Sequence, residues 1–229
     1  MPVPDMPPVV TLTETKQLYW FCHGSAITDG NVRQRLRRAW GFCPRHTWLL
    51  FCVEHELRYL PIGAAKLYQD LTWHATVLLA QRHTVTQLRR ALEPHASCLT
   101  CEYLAHDPSG DRAFAQGRAR AASATRVRRW TADSRPVWQH HVCPLCEIPQ
   151  LPTRQHAQPC RLHLIENATK EQLAGTADQL ARLSARLLRS VRSMTDDGPP
   201  RTPDSDAALV EALGWFAGWP AGRRYLMTA

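Results

Sequence analysis

Along most of this chain apolar positions recur at steps of three or four residues, the period that lines one face of a helix. Val32, Leu36 and Trp40 mark a basic helix over Asn31–Trp40. Leu49, Leu50, Val53 and Leu57 give a face over Thr47–Tyr59, which Pro61 and Gly63 interrupt. Leu67, Leu71, Val77 and Leu78, with Tyr68 and Trp73, predict a third helix from Ala64 to about Arg82. Thr84–Leu92 extends the helical reading until Pro94 stops it. The clearest pattern runs from Asn167 to Met194, where Leu173, Ala177, Leu180, Leu183, Leu187 and Val191 share a stripe. Arg182, Arg186 and Arg189 fall on another face, so the stripe reads as a core face. Asp196-Asp-Gly-Pro-Pro ends it, Thr202-Pro203 reads as a helix start, and Ala207–Ala217 carries Leu209, Leu213, Trp215 and Phe216 inward. Few stretches alternate with period two. The fold class that follows is mainly α.

Composition narrows the picture. With 229 residues, 44% of them hydrophobic, the chain can bury one sizeable core or two small ones. No apolar run approaches the length of a membrane span. The segment Met1–Pro8 has neither the basic start nor the apolar stretch of a signal peptide and reads as a flexible tail. A reducing cytoplasm is the compartment this implies, and there eight cysteines read as metal ligands or reactive thiols rather than disulfides. The divisions expected are a Pro-rich tail over 1–15, a helical module over 16–95, a second Cys/His module over 96–195, and a linker with a packing helix over 196–229.

The net charge is +8, carried by 25 Arg and 3 Lys. A GC-rich genome can produce that skew by itself, and net charge speaks to solubility and partners, not to fold. Between Asp111 and Arg135 seven arginines face only two aspartates, a local charge of +5. Alanines there allow a helix, but its apolar face is thin, so it reads as a phosphate-facing helix or a mobile arm outside the core. Arg118, Arg120, Arg126, Arg128 and Arg129 are the candidates for nucleic-acid contact; the plainer alternative is a solvated face.

The chemistry concentrates in the cysteines. Cys143-Pro-Leu-Cys146 is followed, thirteen residues on, by Cys160-Arg-Leu-His163. Each such pair brings two donors to one metal through a tight turn, and two pairs complete a tetrahedral zinc site. Cys98-Leu-Thr-Cys101 is a further pair, and Cys43-Pro-Arg-His46 opens the second helix. Cys22 stands alone. Cys52 and His55 have pair spacing but lie inside a helical pattern, where Cys52 reads as a small core residue.

Gly41-Phe-Cys-Pro-Arg-His-Thr-Trp-Leu-Leu, followed by Gly63-Ala-Ala-Lys-Leu-Tyr-Gln-Asp-Leu71, resembles a family of uncharacterised bacterial and archaeal proteins. In that family a Cys-x-x-Cys pair precedes a Gly-Phe-Cys-x-x-His element, and the arrangement repeats. Cys98-x-x-Cys101 resembles the opening of the second repeat, Cys160-Arg-Leu-His163-Leu its closing element, and Ala212-Leu-Gly-Trp-Phe-Ala-Gly218 the family's helical tail. The resemblance implies zinc-binding helical modules with no assigned activity. Two departures bear on the sites. Tyr19 stands where the first repeat would open with a cysteine, and Cys143-x-x-Cys146 is an additional pair. Cys98 and Cys101 could therefore close with Cys160 and His163, as the family pattern has it, or with Cys43 and His46, leaving Cys143 and Cys146 to Cys160 and His163. Loop-closure entropy grows too slowly with length to decide. The second pairing is favoured because it makes two complete sites for two zinc ions.

Three function classes remain. A noncatalytic zinc protein would use closed sites to order its fold and a surface to bind a protein partner or nucleic acid, with no membrane association. A metalloenzyme or metal-dependent sensor would use an open site at Cys22, Cys43 and His46, with water in the fourth position; no general base stands out nearby. Thiol redox chemistry at Cys98 or Cys143 lacks the strand–helix alternation of a thioredoxin-like domain. Haem attachment fits less well still, because Glu102 and Glu147 follow the Cys-x-x-Cys pairs where histidine is needed.

Overall fold

The computed structural model describes residues 10–81, 83–107, 111–148, 151 and 157–227. Helix α1 (Leu12–His23) starts at Thr11, whose hydroxyl accepts from the Glu14 amide while the Glu14 carboxylate accepts from the Thr11 amide. Residues 12–15, expected in the tail, are thus the first turn of a helix with Thr13, Glu14 and Thr15 buried. Helix α2 (Gly30–Ala39) is capped by Asp29 and ends on Trp40 at φ 57° and Gly41 at φ 91°. That left-handed pair turns the chain into α3 (Pro44–Arg58), which starts three residues before the expected Thr47 because Pro44 suits a first helical turn. Next come α4 (Ile62–Ala80), α5 (Val85–Leu92), α6 (Leu99–His106), α7 (Ala115–Ser123) and α8 (Thr125–Trp138). The chain finishes with α9 (Arg161–Asn167), α10 (Lys170–Ser193), α11 (Pro203–Ala217) and α12 (Arg223–Leu226). The described residues contain no strand, as the period-three-and-four pattern predicts.

The interior forms around α3 and α11. Trp48 to Val53 are all buried in α3, and Ala207 to Ala217 are all buried in α11. Helix α4 packs along α10, and both α8 and α10 pack against α11. Buried apolar residues from Val10 to Leu226 make one cluster. Burying such side chains stabilises the fold by about 1.5–3 kcal/mol each.

Two buried carboxylates on α3 start neighbouring helices. Glu54 accepts from the amides of Gly63 and Ala64, both at 2.7 Å, at the start of α4. Glu56 accepts from the amides of Arg126 and Val127 at 2.6 and 3.0 Å, at the start of α8. Both satisfy amides that a helix N-terminus leaves without intrahelical partners. Burial nevertheless pushes Glu54 up to about 7.

The basic segment 111–135 is therefore not an arm outside the core. Ala121, Ala124, Val127 and Trp130 are buried, and Trp130 donates to the Asp206 carbonyl at 3.2 Å. Its apolar face is narrow, but it lies against α3 and α11. No helix among the described residues is long and apolar enough to cross a membrane.

Candidate metal centres

Three of the four ligand pairs share one local construction. Cys43, Cys98 and Cys160 are the N-cap residues of α3, α6 and α9, and His46, Cys101 and His163 stand three residues on, in the first turn. The N-cap and the third helical residue project to the same side, so each helix start presents two donors to one point. The positive end of the helix also favours a thiolate there. The fourth pair, Cys143 and Cys146, is brought together by a turn in which the Cys146 amide donates to the Cys143 carbonyl at 3.0 Å.

These pairs converge as two groups, Cys43–His46–Cys98–Cys101 and Cys143–Cys146–Cys160–His163, each with all four ligand atoms within 4.8 Å of one another. Either group could hold a metal ion. In the first, His46 Nδ1 lies 3.3, 3.5 and 3.4 Å from the sulfurs of Cys43, Cys98 and Cys101, and Cys43 Sγ lies 3.8 Å from Cys101 Sγ. In the second, His163 Nδ1 lies 3.3, 3.7 and 3.3 Å from Cys143, Cys146 and Cys160, with 3.7 Å between the last two sulfurs.

The electrostatics of both groups suit a cation. Three thiols this close cannot all ionise unaided. In the first group a hydrogen bond from Cys43 holds Cys98 down to about 3, while Cys43 itself is pushed up by that interaction and by burial. In the second, hydrogen bonds from Cys146 and Cys160 hold Cys143 far below an ordinary thiol, and both partners are pushed up. One thiolate and two thiols is what such a set adopts alone; a bound divalent ion reverses that by favouring every thiolate.

Behind the first group stands a residue the sequence reading missed. Glu14 Oε1 lies 3.2 Å from His46 Nε2, and Glu14 also takes Arg45 on both oxygens at 2.7 and 3.0 Å. Burial opposes ionisation of Glu14, but His46, Arg45 and the Thr11 amide outweigh it and hold the carboxyl below its usual range. Burial likewise works against a charged His46, yet the bonds to Cys98 and Glu14 raise its pKa. A carboxylate on the far nitrogen fixes the ring and leaves Nδ1 free for a metal. The signal was present in the sequence, because Thr11-x-x-Glu14 is a capping box. The second group has no carboxylate within ion-pair distance of His163 among the described residues. Its anchor is Arg161, buried, donating to the carbonyls of Phe216 and Leu92 at 3.1 and 2.9 Å.

Cys22 belongs to neither group, which corrects its expected role as a ligand and removes the open site at Cys22, Cys43 and His46. Glu14 and Cys22 lie on the same helix, eight residues or about 12 Å apart along its axis, so only one end of α1 reaches the centre. At the other end Cys22 is buried against Glu54, and burial pushes its thiol well up. Tyr19 is also away from the centre, stacked on His23 at 5.3 Å. Cys52 is a core residue whose thiol donates to the Ala121 carbonyl at 3.2 Å.

The arginine candidates divide. Arg126 donates to the Glu56 carbonyl at 2.6 Å and Arg128 to the Arg224 carbonyl at 3.3 Å, so both are tied into the fold. Arg120 and Arg129 are exposed and Arg118 is half-buried. Comparison with protein-family profiles, curated proteins and solved structures gave no match.

Proposed function

We propose that this chain is a noncatalytic zinc protein in which two closed Cys3His centres order the helices and so present an interaction surface. The observation that carries the reading is the spacing within the two groups. Zinc at a tetrahedral centre, with bonds of about 2.3 Å to sulfur and about 2.0 Å to nitrogen, sets sulfurs about 3.8 Å apart and nitrogen about 3.5 Å from each. The sulfur separations of 3.8 and 3.7 Å, and nitrogen–sulfur distances of 3.3–3.7 Å, match that tetrahedron. Four protein ligands leave no position for water, the arrangement of structural rather than catalytic zinc. The resemblance to helical zinc-binding modules points the same way, and reduced thiolate ligands suit a cytoplasmic setting. Elemental analysis of reduced, untagged protein tests it: two zinc ions per chain are expected. Fewer than about one, or a redox-active iron centre in their place, overturns it.

A further inference from the structure

The surface that the centres hold in place carries exposed aromatic rings among unpaired positive charges. Trp20 and Tyr59 are 51% and 62% exposed, unusual for rings of that size. Trp20 meets Tyr19 at 5.5 Å, and Tyr19 meets Phe114 at 5.7 Å. Phe114 leads into α7, which lies across α1 and α3 at Gly117, where a Cβ would stand 3.0 Å from Leu57. Farther along α7, Arg120 lies 5.9 Å from the Tyr59 ring, and Arg126 covers the same ring at 4.0 Å. The rings of Trp20 and Tyr59 thus mark two ends of one stretch of surface, with α7 and its arginines between them.

Two further observations bear on what this surface could bind. Tyr59 caps α3 in the left-handed region at φ 71°, where glycine or asparagine is usual, and its ring stands largely exposed there. Some arginines elsewhere pair with carboxylates, as Arg37 does with Asp70, Arg45 with Glu14, Arg186 with Glu211 and Arg201 with Asp206. Among the described residues Arg118, Arg120 and Arg126 form no ion pair with a carboxylate. Positive charge without counterions complements a polyanion. Exposed rings add what a duplex cannot use, because its bases are already stacked on one another, whereas a single strand offers free base faces.

We propose that the Tyr19–Trp20–Phe114 and Tyr59 rings, with Arg118 and Arg120 between them, form a binding surface for single-stranded nucleic acid. The proposal rests on the interaction-module reading above and names its partner. Stacking reads base faces and not the sugar, so DNA and RNA strands are both bound. Arg126 acts by holding the Tyr59 ring, and Arg128 takes no part.

Fluorescence anisotropy with labelled twelve-nucleotide oligo(dT) and oligo(rU), and a duplex of equal length, tests it at about 50 mM salt. Both strands should bind more tightly than the duplex. Trp20→Ala and Tyr59→Ala should each weaken binding about ten-fold or more, while Trp20→Phe and Tyr59→Phe retain it. Joint replacement of Arg118 and Arg120 by Gln should flatten the log–log salt dependence, since fewer counterions are then released. No binding, preference for the duplex, or alanine variants that bind like wild type overturn the proposal. Zinc content and thermal melting of the same samples separate the two readings. Intact zinc and fold without strand binding sinks only this surface, whereas absent zinc sinks the structural reading whatever the strands do.

Discussion

The two centres use the same four ligand types and differ in what they connect. The first joins the starts of α3 and α6, with His46 and Cys98 separated by 52 residues, and through Glu14 it also holds the start of α1. The second joins positions only 14 residues apart at Cys146 and Cys160. Its three sulfurs are buried, whereas Cys101 of the first is exposed. Beyond the centre, α6 is held by Leu99 against the core and by contact with α1. Thr100 is its buried residue, bonded to Gln17 at 2.8 Å, and Glu102 pairs with Arg35 at the surface. Helix α9, by contrast, is held by Arg161 and by Arg89, which donates to the Ile165 carbonyl at 2.7 Å. One centre is a long-range staple and the other a clip on a loop whose neighbours are already docked. Closing the longer loop alone favours the staple by about 1 kcal/mol.

Single-ligand variants should expose that difference. Cys101→Ser and Cys160→Ser should each lose one of the two zinc ions, because the ligand sets share no member. Apparent free energies near 10 kcal/mol per thiolate zinc make both losses large. Cys101→Ser should cost more in melting temperature and raise hydrogen exchange over 99–106 and at the start of α1. Cys160→Ser should raise exchange over 143–148 while α9 stays protected by its arginine anchors. Identical exchange patterns in the two variants would dissolve the distinction.

A smaller and more selective effect is expected at Glu14. Glu14→Gln removes the carboxylate behind His46 and its ion pair with Arg45. Zinc affinity at the first centre should fall about 10- to 100-fold, with the second unchanged because no equivalent carboxylate backs His163 among the described residues. Competition with a chromophoric chelator would then resolve one weakened and one unaltered site. Equal weakening of both, or of neither, would mean that the carboxylate does not distinguish the centres.

This asymmetry was only half legible in the sequence. The Cys-x-x-Cys and Cys-x-x-His pairs are local, so their spacing announces them. The joining of Cys43 and His46 to Cys98 and Cys101 depends on how α6 docks, and loop entropy varies too little to forbid the other pairing. The helices α3, α4, α10 and α11 could be read because their apolar period survives burial on one face or all round. Helix α1 escaped because its buried face includes Thr13, Glu14 and Thr15, polar residues held by capping and ion pairs. The segment 111–135 misled for a related reason. Ala121, Ala124 and Val127 offer little apolar area, yet small side chains are what allow α7 and α8 to approach α3 closely. Net charge told nothing about that packing.

The finest test of the first centre concerns the cysteine beside it in sequence but not in space. Cys22 points at Glu54, where its thiol donates to a carboxyl already raised to about 7 by burial. If the staple is closed by Cys98 and Cys101, Cys22→Ala should leave both zinc ions bound and cost about 1 kcal/mol for a small cavity. Tyr19→Cys should likewise leave the count at two, because residue 19 faces His23 and Phe114 rather than His46. If instead the first centre recruits Cys22 in solution, Cys22→Ala would release one zinc, and Tyr19→Cys would change the zinc count or the ligand set seen by X-ray absorption. The two outcomes differ by a whole ion, so a measurement good to a tenth of an ion per chain decides between them. An unchanged count is expected, because the α1 helix that delivers Glu14 to the centre carries Cys22 away from it by two turns.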